Sequence, residues 1–138
     1  MRVDDVPGRL LARVREAGRV AARARGVVAE NYALTLLRAN RFEDAKSLML
    51  KTMPAARRVF GKNASSTLKM RAVYAVALYE DPAATLDDLR EAVTTIEETE
   101  RTARRVLGGS HPIIVDIGRD LRAARAALRA RETPSSSA

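Results

Sequence analysis

The side chains of this sequence that could take part in chemistry are few. Cysteine is absent and histidine occurs once, at His111. Without cysteine there are no disulfides or thiolates, and one histidine cannot build the usual zinc sites. A lone histidine is a weak catalytic candidate, and we predict that His111, which precedes Pro112, belongs to a turn. We therefore expect no catalytic residue, no metal and no cofactor, and we predict that the chain is not an enzyme.

Two groups of carboxylates have structural explanations. Asp87 and Asp88 follow Thr85, which is the pattern of a capping box at a helix start, and carboxylates there interact favourably with the positive end of the helix dipole. The glutamates between residues 97 and 100 lie on different faces of one helix, where arginines one turn further on can form ion pairs with them. We assign neither group to a metal site.

Basic side chains are concentrated in the N-terminal half of the chain. The net charge is +8, and residues 1–71 contain 16 Lys and Arg against 6 Asp and Glu, whereas residues 72–138 contain 9 against 11. A basic surface attracts acidic peptides, nucleic acid or anionic lipid, or it is a solvated face with no partner. No nucleic-acid-binding motif accompanies the arginines and aromatic residues are scarce, so we expect no specific nucleic-acid binding.

Nothing in the sequence predicts a membrane protein. No apolar run approaches the roughly 20 residues that a membrane span needs, and the first residues lack the pattern of a signal peptide. We expect a cytoplasmic protein that does not bind membranes.

Apolar residues recur at helical spacing along most of the chain, and no segment alternates with period two, so the predicted fold is all-α. Asp5 is the predicted cap of the first of six helices, and Gly26 is expected to end that helix. Pro54 falls inside the third helix and should kink or split it. The predicted helices cover about residues 7–25, 27–39, 42–60, 65–79, 86–107 and 111–131.

Parts of the chain repeat each other. Arg58–Gly61 and Arg105–Gly108 lie 47 residues apart, and each ends an amphipathic helix on a glycine. Upstream, Tyr32-Ala33 matches Tyr74-Ala75 at an offset of 42. Repeated helix pairs at this period are typical of an α-solenoid, which offers a concave surface to a partner.

These elements resemble the tetratricopeptide repeat. The resemblance rests on Tyr32, Ala33 and Leu36 in the first helix of a repeat, and on Phe42 and Ala45 in the second. Alanine at these positions fits two helices that must approach closely, because a larger side chain there would push them apart.

The helix endings are similar to the kinesin-light-chain type of repeat. That type has long second helices and a Gly-x-x-His-Pro turn that leads into the next helix pair. Here the endings read Arg-Arg-Val-Phe-Gly at 57–61 and Arg-Arg-Val-Leu-Gly-Gly-Ser-His-Pro at 104–112, and 31–34 is similar to the Asn-Leu-Ala element that opens such repeats. The resemblance covers about residues 27–131 and implies a right-handed solenoid of about six antiparallel helices.

The resemblance also implies a domain organisation. We predict an N-terminal helix, half of a degraded repeat, at 1–26, a first repeat at 27–63 and a second at 64–110. A C-terminal capping helix follows at 111–132 and a disordered tail at 133–138.

The resemblance places a peptide-binding surface on the first helices of the repeats. In the family, the asparagine that corresponds to Asn31 lies on the concave face and can contact a bound peptide backbone, and Val73 replaces it in the second copy. Arg38 and Lys69 would hold acidic side chains. The alternative is that this face packs against a neighbouring repeat or a second copy. The predicted site consists of Glu30, Asn31, Leu34, Arg38, Lys69, Val73, Val76 and Tyr79.

The predicted function is that of a non-catalytic interaction module, a scaffold or adaptor that binds a partner protein or a short acidic peptide on its concave face. Two alternatives stay open. A solenoid needs about three repeats for stability and only two are visible, so the chain could be a self-associating scaffold, a homo-oligomer. It could equally be a fragment of a larger multidomain repeat protein.

Overall fold

Short turns join the helices of this chain, and each helix packs against the next. The computed structural model describes residues 7–133, which form five helices and no strand. The helices are α1 (Gly8–Arg38), α2 (Phe42–Phe60), α3 (Ser65–Glu80), α4 (Leu86–Leu107) and α5 (Pro112–Glu132). The predicted cap at Asp5 and all but the first residue of the predicted tail lie outside the described residues.

The five helices form two layers. α3 packs against α1 and α5 in addition to its chain neighbours, whereas within residues 7–133 the backbones of α2 and α4 do not approach each other closely, although the charge of Lys46 on α2 acts on Asp88 and Glu91 of α4. The layer of α1, α3 and α5 is therefore the more tightly spaced one. This arrangement confirms the all-α prediction, and the packing is consistent with a helical repeat.

Helix α3 holds the two halves together because it is apolar on nearly all sides. Met70, Val73 and Ala77 pack into one core cluster with α1 and α2, while Leu68 and Ala75 pack into a second with α4 and α5. A helix that is hydrophobic all round must be buried on opposite faces. Two methionines of α2, Met49 and Met53, are buried and complete the first cluster.

The prediction that Gly26 ends a helix is wrong, and this changes the helix count from six to five. α1 runs without interruption from Gly8 to Arg38. Gly26 is buried, and a Cβ atom built there would lie 3.3 Å from Met70 Cε and 3.6 Å from Phe60 Cε2. The glycine therefore gives α2 and α3 room against a continuous helix and does not stop it.

The turns that follow α2 and α4 have the same geometry. Gly61 has φ 92° and ψ 155°, and Gly108 has φ 85° and ψ 155°. In both turns the glycine N–H donates to the carbonyl four residues earlier, and the glycine carbonyl accepts from the N–H three residues later. The next helix then begins at Ser65 and at Pro112. The internal repetition seen in the sequence is thus present in the backbone.

Other predicted helix ends are confirmed. Asn40 takes a left-handed φ of 61° after α1. At the start of α4, Thr85 Oγ1 accepts from the Asp88 N–H at 3.1 Å and Asp88 Oδ2 accepts from the Thr85 N–H at 2.9 Å, which completes the capping box. Before α5, His111 Nδ1 accepts from the Ile113 N–H at 3.2 Å, so the histidine caps the helix.

The proline inside α2 does not break the helix. α2 runs through Pro54 and is not split, since Pro54 lies on its exposed face, where water can satisfy the freed carbonyl.

The glutamates of α4 form ion pairs within the helix and with neighbouring helices. Glu100 pairs with Arg104 at 3.7 Å, as predicted. The other two glutamates reach neighbouring helices: Glu98 pairs with Arg71 of α3 at 3.3 Å and Glu97 with Arg125 of α5 at 3.6 Å.

The small residues at the repeat positions are fully buried, but the tyrosines before them differ. Ala33, Ala45, Ala75 and Ala92 have no exposed surface. The hydroxyl of Tyr74 donates to Glu91 Oε1 at 2.8 Å, which satisfies it at the helix interface. The equivalent tyrosine of the first copy, Tyr32, is 53% exposed and is not packed at a helix interface as Tyr74 is.

We predict that Ala45→Leu lowers the free energy of unfolding by about 1–3 kcal/mol, because three extra carbon atoms would be forced into a packed helix contact. Ala55→Leu on the exposed face of the same helix is the matched control and should change stability by less than about 0.5 kcal/mol. Urea unfolding followed by circular dichroism measures both. Equal stabilities of the two variants would contradict the close helix approach at Ala45.

Candidate functional site

A groove of about 450 Å³ lies on the layer of α1, α3 and α5. We call it the inner groove. Three helices line it. One strip of α3, between its two core faces, is left uncovered and forms the floor, and α1 and α5 form the two walls. Its lining consists of Glu30, Leu34, Leu37 and Arg38 of α1, Lys69, Ala72, Val73, Val76 and Glu80 of α3, and Ile113, Asp116, Ile117 and Asp120 of α5.

Six of the eight residues predicted from the sequence line this groove. The helical spacing of Glu30, Leu34 and Arg38 places them on one side of α1, and the same holds for Lys69, Val73 and Val76 on α3. Two predicted residues are not in the lining. Asn31 is exposed on another face of α1, and Tyr79 is directed towards α5.

The contribution of α5 was missed by the sequence reasoning. Asp116 and Asp120 are four residues apart and share a helix face with Ile113 and Ile117, which form part of the groove. This mixed spacing of carboxylates and isoleucines was visible in the sequence. It was overlooked because the helix was interpreted as a cap of the stack and not as a wall of the site.

The groove combines an apolar floor with charged walls. Leu34, Val76 and Ile117 are among its apolar residues, while four carboxylates and two cations surround them. Of these six charges, Asp116 alone forms an ion pair within residues 7–133, with Arg119 at 3.5 Å. The other five form no ion pair among the described residues, although Asp120 accepts a hydrogen bond from Tyr79 and the charge of Lys69 acts on Glu30.

The carboxyl group of Asp120 has the largest perturbation in the groove. Its pKa is raised to about 6, mainly by burial and to a lesser extent by the nearby carboxylates Asp116 and Glu80, while a hydrogen bond from Tyr79 acts in the opposite direction. The Tyr79 hydroxyl donates to Asp120 Oδ1 at 3.3 Å. Burial, and then the charge of Asp120, raise the pKa of Tyr79 as well. This pair ties the end of α3 to the middle of α5.

A second carboxyl group of the lining is perturbed on the other wall. Burial raises the pKa of Glu30, and the positive charge of Lys69 partly offsets that effect. Lys69 therefore already interacts with a carboxylate of the protein, while Arg38, at the end of α1, is exposed. The cationic part of the groove is thus weaker than the number of basic residues suggests.

The lining consists of apolar and charged side chains. Among the described residues, the lining includes no histidine, serine, threonine or cysteine, and residues 7–133 contain no cluster of three or more His, Asp or Glu side chains that could hold a metal ion. An apolar floor with a few charged groups at its edge is typical of recognition sites.

Comparisons with known proteins give no match: no family model, no curated protein and no solved structure matches this chain. Within residues 7–133, no helix is both long and apolar enough to cross a bilayer.

We predict that Asp120 makes the protein less stable as the pH rises from about 4 through about 6. Its pKa is raised in the folded state, so the folded chain binds its proton more tightly than the unfolded chain, where an aspartate titrates near pH 4. The stability that this provides is complete below about pH 4 and is lost as the pH rises through the folded pKa of about 6.

The substitution Asp120→Asn keeps an acceptor for Tyr79 and removes the titration. The difference in urea midpoint between the variant and the native chain should therefore grow in favour of the variant from pH 4 to pH 7. Asp87→Asn is the control, because that side chain is 92% exposed. The same pH profile for both variants would contradict the burial of Asp120.

Proposed function

We propose that this chain is a tetratricopeptide-like helical-repeat module, a short α-solenoid, that acts without catalysis by binding a segment of a partner protein in the inner groove. The observation that carries the proposal is the convergence of six predicted residues from α1 and α3 on one groove with unpaired charges. The matching turns at Gly61 and Gly108 support the repeat interpretation, because solenoids of helix pairs use such inner surfaces for recognition.

The lining indicates what a bound segment must carry. Apolar side chains would pack against Leu34, Val76 and Ile117, and burial of each would contribute about 1.5–3 kcal/mol before the entropic cost of ordering the segment. Charged neighbours in the segment would meet the unpaired groups at the edge. Charge-assisted hydrogen bonds at such edges fix orientation and register.

The charge of the lining also bears on the chemistry of the partner. The expectation of an acidic peptide rests on Arg38 and Lys69. The groove adds four carboxylates, one of which lies close enough to Lys69 to interact with it. We propose that the preferred segment is apolar with at least one lysine or arginine directed at Asp116 and Asp120, and that an acidic residue, if present, meets Arg38.

The first test uses a phage-displayed library of random dodecapeptides, panned against the immobilised chain. We expect enriched peptides whose affinity, measured by fluorescence anisotropy, falls by about tenfold or more for Val76→Lys, because the lysine fills the groove and adds a charge to its floor. Val106→Lys is the matched control: that valine is 45% exposed and lies on α4, away from the groove. Failure to enrich any peptide, or equal affinities for both variants, would contradict the proposal.

The second test concerns the charge of the bound segment. We expect the enriched peptides to be rich in lysine and arginine, and we expect Asp116→Asn with Asp120→Asn to weaken their binding and its dependence on salt. The pair Arg38→Gln with Lys69→Gln serves as the opposing arm. Loss of binding in the Arg38→Gln with Lys69→Gln variant alone would contradict the basic segment proposed here and would support the acidic peptide expected from the sequence.

A further inference from the structure

The outward face of α1 exposes an unusual amount of apolar surface. Ten large apolar side chains are exposed within residues 7–133, and six of them lie on this one helix. Four share a face that runs along most of its length: Leu10 is 45% exposed, Val14 59%, Val28 67% and Tyr32 53%. Exposed single residues are ordinary, but an aligned series of them marks a contact surface.

The first half of α1 projects beyond the body of the protein. α1 has 31 residues and α2 has 19, which correspond to roughly 46 Å and roughly 28 Å. No residue of α1 before Gly26 is buried. The projecting half is therefore held only by the continuity of the helix and by a few contacts, such as that of Arg23 with the ring of Phe60 at 5.9 Å.

The exposed face follows the pattern of a coiled-coil seam. Apolar residues at alternating spacings of four and three form the contact positions of such a seam. Here that series runs through Leu10, Val14, Ala17, Ala21, Ala24 and Val28. All six are exposed. We call this series the α1 seam.

The α1 seam complements itself when two copies are placed antiparallel. The two-fold axis then lies between Ala17 and Ala21, so that these two face each other. Leu10 of one copy meets Val28 of the other, and each remaining layer pairs a valine with an alanine. A symmetric dimer requires this kind of self-complementary patch, and the small central residues allow the helix axes to approach closely.

The charges of α1 do not oppose this pairing. On the helix, Arg15, Arg19 and Arg23 lie on the side opposite the seam. Arg13 and Arg25 flank it, and in the antiparallel arrangement each faces an apolar residue of the second copy. Antiparallel helix dipoles add a favourable term. An antiparallel pairing also sets the two helical bodies at opposite ends of the seam.

The size of the contact sets the expected strength. One face of a helix about 10 Å wide, over a seam roughly 30 Å long, covers on the order of 300 Å² per copy, or about 600 Å² in total. A contact of that size is smaller than the interfaces of stable complexes and corresponds to a weak, transient association. A weak dimer that forms at concentrations on the order of tens of micromolar is therefore expected.

We propose that the α1 seam is the contact surface of a symmetric antiparallel dimer of this chain. The seam lies on a face of α1 other than the inner groove, so the dimer is independent of the proposed peptide binding and leaves both grooves open.

Sedimentation of the full chain over about 1–200 µM tests the proposal. We expect the mass to rise from one chain to two across this range. Val14→Glu and Val28→Glu should each weaken the association at least tenfold, since each would bury a charge in the seam. Val115→Glu is the matched control, because that valine is 60% exposed on α5, and it should leave the association unchanged. A single-chain mass at every concentration, or equal effects of all three variants, would overturn the proposal.

Disulfide crosslinking tests the orientation without relying on disruptive variants. The chain has no cysteine of its own, so single cysteines report unambiguously. A mixture of Leu10→Cys and Val28→Cys chains should form a mixed disulfide, while Leu10→Cys alone should not, because its two copies would be about 27 Å apart along the antiparallel pair. Efficient crosslinking of Leu10→Cys alone would indicate a parallel pairing and would overturn the proposed geometry.

Discussion

Burial of α3 on two opposite faces is the constraint on which the rest of this structure depends. Met70 and Val73 pack towards α1 and α2, while Leu68 and Ala75 pack towards α4 and α5. Each half of the protein is a helix pair that leaves an apolar face uncovered until α3 closes it. The two core clusters share this helix, so loss of packing on one side weakens the other. The strip of α3 that remains uncovered is the floor of the inner groove.

The local features of the fold were readable from the sequence because single residues decide them. Gly61 and Gly108 take positive φ angles that only glycine adopts without strain, and the Thr85 hydroxyl with the Asp88 carboxylate satisfies the free N–H groups at a helix start. Gly26 has the same identity but a different role. Its role depends on Met70, 44 positions away, and no local pattern distinguishes a glycine that ends a helix from one that makes room for a neighbour.

The candidate site was predictable in part, for the same reason. Spacing on α1 and α3 was enough to group six lining residues, since helical periodicity fixes which residues share a face. Spacing along single helices could not show that α5 approaches α3 closely enough for Tyr79 to reach Asp120. The charge of the groove follows from that approach, because burial and adjacent carboxylates raise the pKa of Asp120. A pKa shift of this kind depends on the distances between helices, and these distances cannot be read from the composition of the chain.

The uninterrupted passage of α1 through Gly26 has a consequence for how the two ends of this helix are related. A rigid helix transmits rotation, so the direction in which Val14 points is fixed relative to Leu34 in the groove by the number of residues between them. One added or deleted residue between them would turn the projecting end by about 100°, whereas seven would turn it by only about 20°. The number of residues in this segment therefore fixes the angle between the outward face and the groove. A break in the helix at Gly26 would remove that fixed relation.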